Sequence, residues 1–197
     1  EVKVDPSWAD LTVNAVKEST GDDYFDSYVD VVGSLDGYDL PVSKFTEYEL
    51  LDGTMQNNIT FKEKRATADR VPLWHKENCI QCNQCAFVCP HATIRPFVLN
   101  DEQIAKLPED EREDVLNLMG GPNTKGLKFR IQVSPMNCVG CGICFVQCPG
   151  KGGKKALEMV EAKTQYHHEK AADILYKETE SRTDLFPLNT VKGAAFL

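Results

Sequence analysis

Alternation of apolar and polar residues is clearest in "LKFRIQVS", residues 127–134. Every second position is apolar, which is the period of a half-buried β-strand. These apolar residues are Leu127, Phe129, Ile131 and Val133. Two other strands are predicted in "ATIRPFVL", residues 92–99, and in "KALEMVEA", residues 155–162. Pro96 indicates a sheet edge for the first, because proline cannot donate a ladder hydrogen bond.

Helical patterns lie between and after these strands. Asn100 is a suitable N-cap for a short helix, and Pro108 should end that helix or begin the next one. We expect a final helix in "EKAADILYKETE", residues 169–180. The helix after Pro108 is predicted to have an apolar side and to end at a pair of glycines, and we interpret this stretch as an insertion. Its apolar residues are Val115, Leu116 and Met119, and its glycines are Gly120 and Gly121.

The first sixty residues carry weaker patterns. A short helix is predicted after Pro6, with Trp8, Leu11 and Ala15 on one face. Residues 21–40 are rich in glycine and aspartate, which predicts a loop with short extended pieces. A further strand is predicted at Ile59–Phe61.

Composition limits the classes of function. The chain has 197 residues and a net charge of −8, which argues against non-specific binding of nucleic acid. No apolar run approaches eighteen residues, and "EVKVDPSWAD" lacks the apolar region of a secretory signal. We therefore expect a cytoplasmic protein with no membrane partner. Because the chain begins at Glu1 rather than at a methionine, we expect it to be cut from a longer polypeptide.

The eight cysteines are the strongest signal, because all of them fall in two short runs. Both runs read C-x2-C-x2-C-x3-C-P, the pattern that holds [4Fe–4S] clusters in two-cluster bacterial ferredoxins. Disulfides are disfavoured, since a disulfide framework spreads its cysteines along the chain. Zinc modules usually separate their C-x2-C pairs by a dozen residues or more, so a zinc site is disfavoured too.

In this pattern the fourth cysteine of each run binds the cluster of the other run. The first cluster is therefore predicted on Cys79, Cys82, Cys85 and Cys148. The second is predicted on Cys138, Cys141, Cys144 and Cys89. We predict an α+β, ferredoxin-like fold made of a duplicated half-domain, at residues 72–162. The histidines are not needed as ligands, and the charged run "EDERED", residues 109–114, is interpreted as a solvated helix face.

Several longer stretches resemble pyruvate:ferredoxin oxidoreductase. They are "LPVSKF", "EKR" at residues 63–65, "VPLWHKENCIQCNQCAFVCPHATIRP", "GLKFRIQVSPMNCVGCGICFVQCP" and "TVKGAAFL". The resemblance implies a preceding domain or linker at residues 1–40, an EKR segment at 41–71 and the two-cluster domain at 72–162. Residues 163–197 would connect to a thiamine-diphosphate domain.

The resemblance further implies a large enzyme that oxidises pyruvate with coenzyme A to acetyl-CoA and carbon dioxide. Thiamine diphosphate, Mg²⁺ and a third [4Fe–4S] cluster are then expected elsewhere in that enzyme, since "LDGYD", residues 35–39, lacks the first glycine of the family's GDG motif. Electrons would leave to ferredoxin or flavodoxin, and the whole enzyme would be a homodimer, cytoplasmic or, in an anaerobic eukaryote, organellar. No catalytic side chain is expected in this stretch. The alternative is a free-standing two-cluster electron carrier or a small redox subunit of another 2-oxoacid oxidoreductase.

Overall fold

The computed structural model describes residues 3–10, 19–57, 59 and 62–196. The chain forms two compact units, one within residues 1–63 and the other within residues 64–197.

The first unit is mainly helical where the structure describes it. It contains a 3-10 turn at Pro6–Asp10, a π-helical turn at Phe25–Val29, α1 at Asp30–Gly33, a 3-10 turn at Gly37–Asp39 and α2 at Val42–Glu47. The prediction of a loop at residues 21–40 is therefore wrong. The Asp22 side chain accepts a hydrogen bond from the Phe25 amide, 2.9 Å away, and so caps the helical stretch. Asp22, one of the aspartates that suggested a loop, thus supports the start of a helix instead.

Two predictions fall partly outside the described residues. Leu11 and Ala15, of the predicted N-terminal helix, lie outside them. Thr60 and Phe61, of the strand predicted at Ile59–Phe61, do so as well.

The second unit contains two antiparallel sheets. One pairs β1 with β5, and the other has the order β2-β4-β3. The strands are β1 Arg70–Trp74, β2 Ile94–Leu99, β3 Leu116–Asn117, β4 Lys128–Val133 and β5 Leu157–Glu161. The helices are α3 Gln84–Phe87, α4 Asp101–Ala105, α5 Ile143–Gln147, α6 Glu169–Glu178 and α7 Val191–Ala194. Shorter 3-10 turns occupy Lys76–Asn78, Glu109–Glu111, Pro122–Thr124 and Ala162–His168.

Three predicted strands and two predicted helices are confirmed. β2, β4 and β5 lie where the alternating patterns place them, and Pro96 is on the edge strand β2, opposite Ile131 of β4. Asn100 caps α4 through a capping box with Gln103, and α6 covers most of the predicted tail helix.

The helix predicted around Val115, Leu116 and Met119 is wrong. After the 3-10 turn at Glu109–Glu111 the chain forms β3, in which Leu116 pairs with Phe129. This pairing depends on a strand a dozen residues further along the chain, so the local pattern could not reveal it.

Strand β4 is buried on both faces, whereas its alternation predicts one exposed face. Its polar residues Arg130 and Gln132 are buried alongside Phe129 and Ile131. The Arg130 guanidinium pairs with the Glu111 carboxylate and donates to the Glu111 carbonyl, 2.7 Å away. Glu111 is only 2% exposed, which corrects the interpretation of "EDERED" as a solvated face at this position.

The main core lies between the two sheets and the cysteine runs. Several cysteines pack against this core, whose members include Phe129, Ile131, Ile94, Leu157 and Phe196. A second core joins β2 to α6 through Phe97, Leu99, Leu107, Ala171 and Leu175. In the described part of the chain, no helix has both the length and the apolar character that crossing a membrane requires.

Candidate metal centre

The first cysteine run follows β1 as a loop that leads into α3. Cys79 ends the 3-10 turn at Lys76–Asn78, and Cys85 lies within α3. These two thiols and Cys82 line one cavity. The fourth thiol at this cavity is Cys148, from the second run.

The second run repeats this arrangement between β4 and β5. Cys138 and Cys141 lie on its loop, and Cys144 lies in α5. They line a second cavity together with Cys89 from the first run. The structure thus brings the eight predicted site residues together as two sets of four, each with three thiols from one run and one from the other. Binding of a cluster by these sets remains a prediction.

Backbone amides donate hydrogen bonds to several of the thiols. The amides of Gln81, Gly140 and Ala156 donate to sulfur at 3.3–3.5 Å. Their acceptors are the Sγ atoms of Cys79, Cys138 and Cys148 respectively. Such hydrogen bonds stabilise thiolate charge and help to set the potential of a bound iron–sulfur cluster.

Equivalent positions in the two runs have left-handed backbone. In the second run these are Gly140 and Gly142, with φ of +69° and +72°. In the first run they are Gln81 and Asn83, with φ of +56° and +60°. A Cβ on Gly140 would lie 2.7 Å from the Arg70 carbonyl oxygen, so this position needs glycine for space as well as for conformation.

Burial raises the pKa of two of the thiols strongly. It raises the pKa of Cys85, and it raises the pKa of Cys144 to about 11, with the neighbouring thiols adding to the effect in both cases. Burial also acts to raise the pKa of Cys89, but hydrogen bonds from Thr93 and nearby backbone outweigh it and lower that pKa. A bound metal would have to displace protons from these thiols, because the thiolate is the ligand.

The arrangement fits a cubane cluster, whose four thiolates bind four separate iron atoms around a central body. A single zinc ion requires its donors about 2.3 Å from one point. Among the described residues no group of three or more cysteine, histidine, aspartate or glutamate side chains has that arrangement. Two cavities, each lined by four thiols and reached by amide donors, fit two clusters.

The sequence patterns did not reveal the contacts of several residues that hold the two cysteine loops in place. Lys155 Nζ donates to the carbonyls of Phe145, Val146 and Cys148, at 2.8–3.0 Å. It therefore caps the C-terminal end of α5 beside Cys148. Gln81 and Asn83 were missed as well, although each stands where the second run has a glycine, and that contrast was visible in the sequence.

Comparison with known proteins identifies relatives of this site. Residues 78–152 match the 4Fe–4S dicluster domain family. The chain is 39% identical to the pyruvate:ferredoxin oxidoreductase of Moorella thermoacetica, over 198 residues that cover all of this chain and 16% of that protein. It is 35% identical to the pyruvate-flavodoxin oxidoreductase of Klebsiella pneumoniae, with the same two coverages. It is 38% identical to a mitochondrial pyruvate dehydrogenase (NADP+) of Euglena gracilis, over 83% of this chain and 8% of that protein. The chain thus spans 16% or less of the length of these curated relatives.

Proposed function

Because the chain is related along its whole length to a segment of the pyruvate:ferredoxin and pyruvate-flavodoxin oxidoreductases, we propose that it is the electron-relay segment of such an enzyme. The observation that carries this proposal is the division of the eight thiols into two sets of four, each completed by a cysteine from the other run. A function in electron transfer needs cofactors that are ligated by the protein, and each set supplies the four thiols that one cubane cluster requires.

The proposed ligands follow the two sets. Cys79, Cys82, Cys85 and Cys148 hold the first [4Fe–4S] cluster, and Cys138, Cys141, Cys144 and Cys89 hold the second. The clusters supply one-electron transfer. The protein keeps the thiolates in place, donates amide hydrogen bonds to their sulfurs and excludes water with the core around Phe129 and Ile131.

The proposed fold is a duplicated half-domain. One half runs through β1, the first cysteine run, α3 and β2, and the other runs through β4, the second cysteine run, α5 and β5. The first strand of each half pairs with the last strand of the other, as β1 with β5 and β4 with β2. This reciprocal pairing supports an internal repeat, because a duplicated unit produces the same contact twice.

The rest of the assignment concerns the larger enzyme. Residues 1–40 end a preceding domain or linker, 41–71 form the EKR segment, 72–162 the two-cluster domain and 163–197 the connector. Thiamine diphosphate, Mg²⁺ and a third cluster belong to other domains, where pyruvate and coenzyme A give acetyl-CoA and carbon dioxide. The electrons pass to ferredoxin or flavodoxin. The enzyme would be a homodimer that acts in the cytoplasm, or in an organelle of an anaerobic eukaryote.

The ligand sets can be tested by cysteine replacement in the intact enzyme, purified without oxygen. We expect Cys148→Ala and Cys82→Ala to lose the same cluster, since both line the first cavity, and Cys89→Ala and Cys141→Ala to lose the other. Electron paramagnetic resonance of the reduced protein and the iron content measure which cluster remains. If Cys148→Ala resembles Cys141→Ala instead, the exchange of the fourth ligand is wrong.

The larger role has its own test. The native polypeptide should be several times heavier than this chain under denaturing conditions, and it should reduce ferredoxin or flavodoxin when given pyruvate and coenzyme A. A native polypeptide near 22.0 kDa would assign the chain to a separate carrier or small subunit. Absence of pyruvate-dependent reduction by the full-length enzyme would contradict the assigned reaction.

A further inference from the structure

The two cysteine runs differ at their left-handed positions. The second run uses Gly140 and Gly142, which adopt positive φ without strain. The first run uses Gln81 and Asn83; the Gln81 side chain disfavours this conformation, which asparagine adopts more readily. Both are almost completely buried, at 2% and 1% exposure. A strained, buried polar residue such as Gln81 persists where its side chain makes contacts that hold it in place.

Gln81 connects the first cysteine loop to the insertion. Its Nε2 donates to the carbonyl of Asn117 at 2.8 Å, and its Oε1 accepts from the amide of Met119 at 2.8 Å. The side-chain amide thus uses both its donor and its acceptor on one short stretch of backbone.

Asn83 connects the same loop to the C-terminal segment. Its Nδ2 donates to the carbonyl of Lys192 at 3.1 Å. The Lys192 ammonium in turn donates to the carbonyl of Met119 at 2.7 Å. These contacts form a closed ring beside the first cavity, and the ring consists of Gln81, Met119, Lys192 and Asn83.

The ring fixes the position of a positive charge. Lys192 Nζ lies 4.4 Å from the centroid of the Phe186 ring, and its carbonyl and ammonium are both held. Burial lowers the pKa of Lys192, while the charges of Cys79 and Cys82 act in the opposite direction. A partly buried ammonium interacts more strongly with a nearby anion than an exposed one does.

We propose that Gln81, Asn83 and Lys192 form a clamp that holds a positive charge beside the first cluster and thereby raises its reduction potential. The proposal rests on the proposed function, since it requires the cluster on Cys79, Cys82, Cys85 and Cys148. Reduction adds negative charge to the cluster, and a fixed cation stabilises the more negative state. Lys192 acts as a positioning residue and does not bind iron. In this way the C-terminal segment influences the reduction potential of the first cluster.

The test is an anaerobic redox titration of the intact protein with both clusters bound, followed by electron paramagnetic resonance. We expect Lys192→Gln to lower the ratio of reduced to oxidised first cluster, at a fixed ambient potential, by roughly threefold to tenfold. The second cluster should change much less. Lys192→Arg should restore most of the ratio, because it keeps the charge. Lys154→Gln removes the same charge from an exposed lysine and should leave the first cluster almost unchanged.

A second variant tests the clamp itself. Asn83→Gly suits the left-handed backbone and removes the side-chain contact to the Lys192 carbonyl. In the Asn83→Gly background, Lys192→Gln should shift the first cluster less than it does in the wild-type protein, because the Lys192 backbone loses its contact with the loop and the ammonium is then positioned less firmly beside the cluster. An equal shift in both backgrounds would show that Asn83 does not hold Lys192. Gly142→Asn, at the matching position of the second run, is the control for side-chain size, since a Cβ there has no neighbour within 4 Å.

The outcomes separate the two proposals. If the wild-type protein has two [4Fe–4S] clusters and Lys192→Gln titrates like the wild type, the clamp is overturned and the relay stands. If the wild-type protein does not bind two such clusters, the proposed function itself fails.

Discussion

At the scale of single residues, the turn after Cys148 depends on one glycine. Gly150 has φ of +64°, and a Cβ on it would lie 1.8 Å from the carbonyl oxygen of Lys154. That carbonyl also accepts the Lys151 amide at 3.0 Å, so the backbone cannot retreat without opening the turn. Gly152 in the same turn has φ of +58°, and its Cβ would meet nothing within 4 Å.

We therefore predict that Gly150→Ala displaces Cys148 and lowers the iron content by about half, because one of two clusters loses a ligand. Gly152→Ala changes the same residue type in the same turn. It should cost only about 1 kcal/mol, from the left-handed backbone alone, and should keep the full iron content. Iron analysis and thermal melting of both variants measure this difference. Equal iron content in the two variants would show that the close contact at Gly150 does not hold the ligand.

The sequence predicted which thiols lie together better than it predicted the residues that support them. Cysteine spacing assigned each thiol to its set, and the structure brings together the same two sets. The contacts of Asn83 and Lys192 could not be predicted, because 109 residues separate the partners. The conformation of Gln81 could be inferred only by comparison with Gly140, since glutamine rarely has positive φ.

At the scale of elements, β4 is anchored through a buried ion pair. Arg130 of β4 and Glu111 of the preceding 3-10 turn are 3% and 2% exposed at their side chains. His168 Nδ1 lies 3.1 Å from the Glu111 carboxylate, so three segments meet at this one group. Burial acts to raise the pKa of Glu111, but His168 and Arg130 outweigh it and lower that pKa. The carboxylate is therefore charged at neutral pH and balances the guanidinium.

Glu111→Gln should destabilise the protein strongly, because it leaves the Arg130 charge buried without its partner. We expect a loss of about 3–5 kcal/mol, or a fall in melting temperature on the order of 10 °C. Glu109→Gln makes the same chemical change at an exposed position of the same 3-10 turn, and should cost less than about 0.5 kcal/mol. Thermal melting of the cluster-loaded protein at neutral pH compares the two. Similar melting temperatures for both variants would mean that the buried pair contributes little.

Elements defined by local patterns were predictable, and those defined by distant partners were not. The position of β4 and the capping signal of Asn100 depend on neighbouring residues, and both predictions are confirmed. β3 depends on pairing with β4, and the burial of Arg130 depends on Glu111, so neither was visible in the local sequence. Lys64 of the "EKR" stretch is a further case. It donates to Glu169 and Asp173 of α6, at 2.6 and 2.8 Å, across more than a hundred residues.

At the scale of the second unit, the candidate metal sites and the main core share residues and contacts. Cys144 is a member of that core, and Cys79, Cys85, Cys89 and Cys148 pack against it. The β1–β5 sheet has only two strands, and an isolated two-stranded sheet is marginally stable in water. The second core, between β2 and α6, contains no cysteine. Cluster binding should therefore stabilise these two regions unequally.

Removal of iron should loosen the β1–β5 sheet before it loosens α6. Metal binding contributes directly to folding where the ligands form part of the core, and without iron the four thiols around each cavity lose their bonds. After anaerobic chelation of iron, we expect the amide hydrogens of β1 and β5 to lose most of their protection from exchange. Those of α6 should keep most of their protection, because Ala171 and Leu175 remain packed against Phe97 and Leu99. Hydrogen exchange followed by mass spectrometry, with and without iron, measures both regions in one sample. Equal loss in both regions would show that the second unit unfolds as one cooperative body, and unchanged protection in β1 and β5 would show that the sheet is stable without clusters.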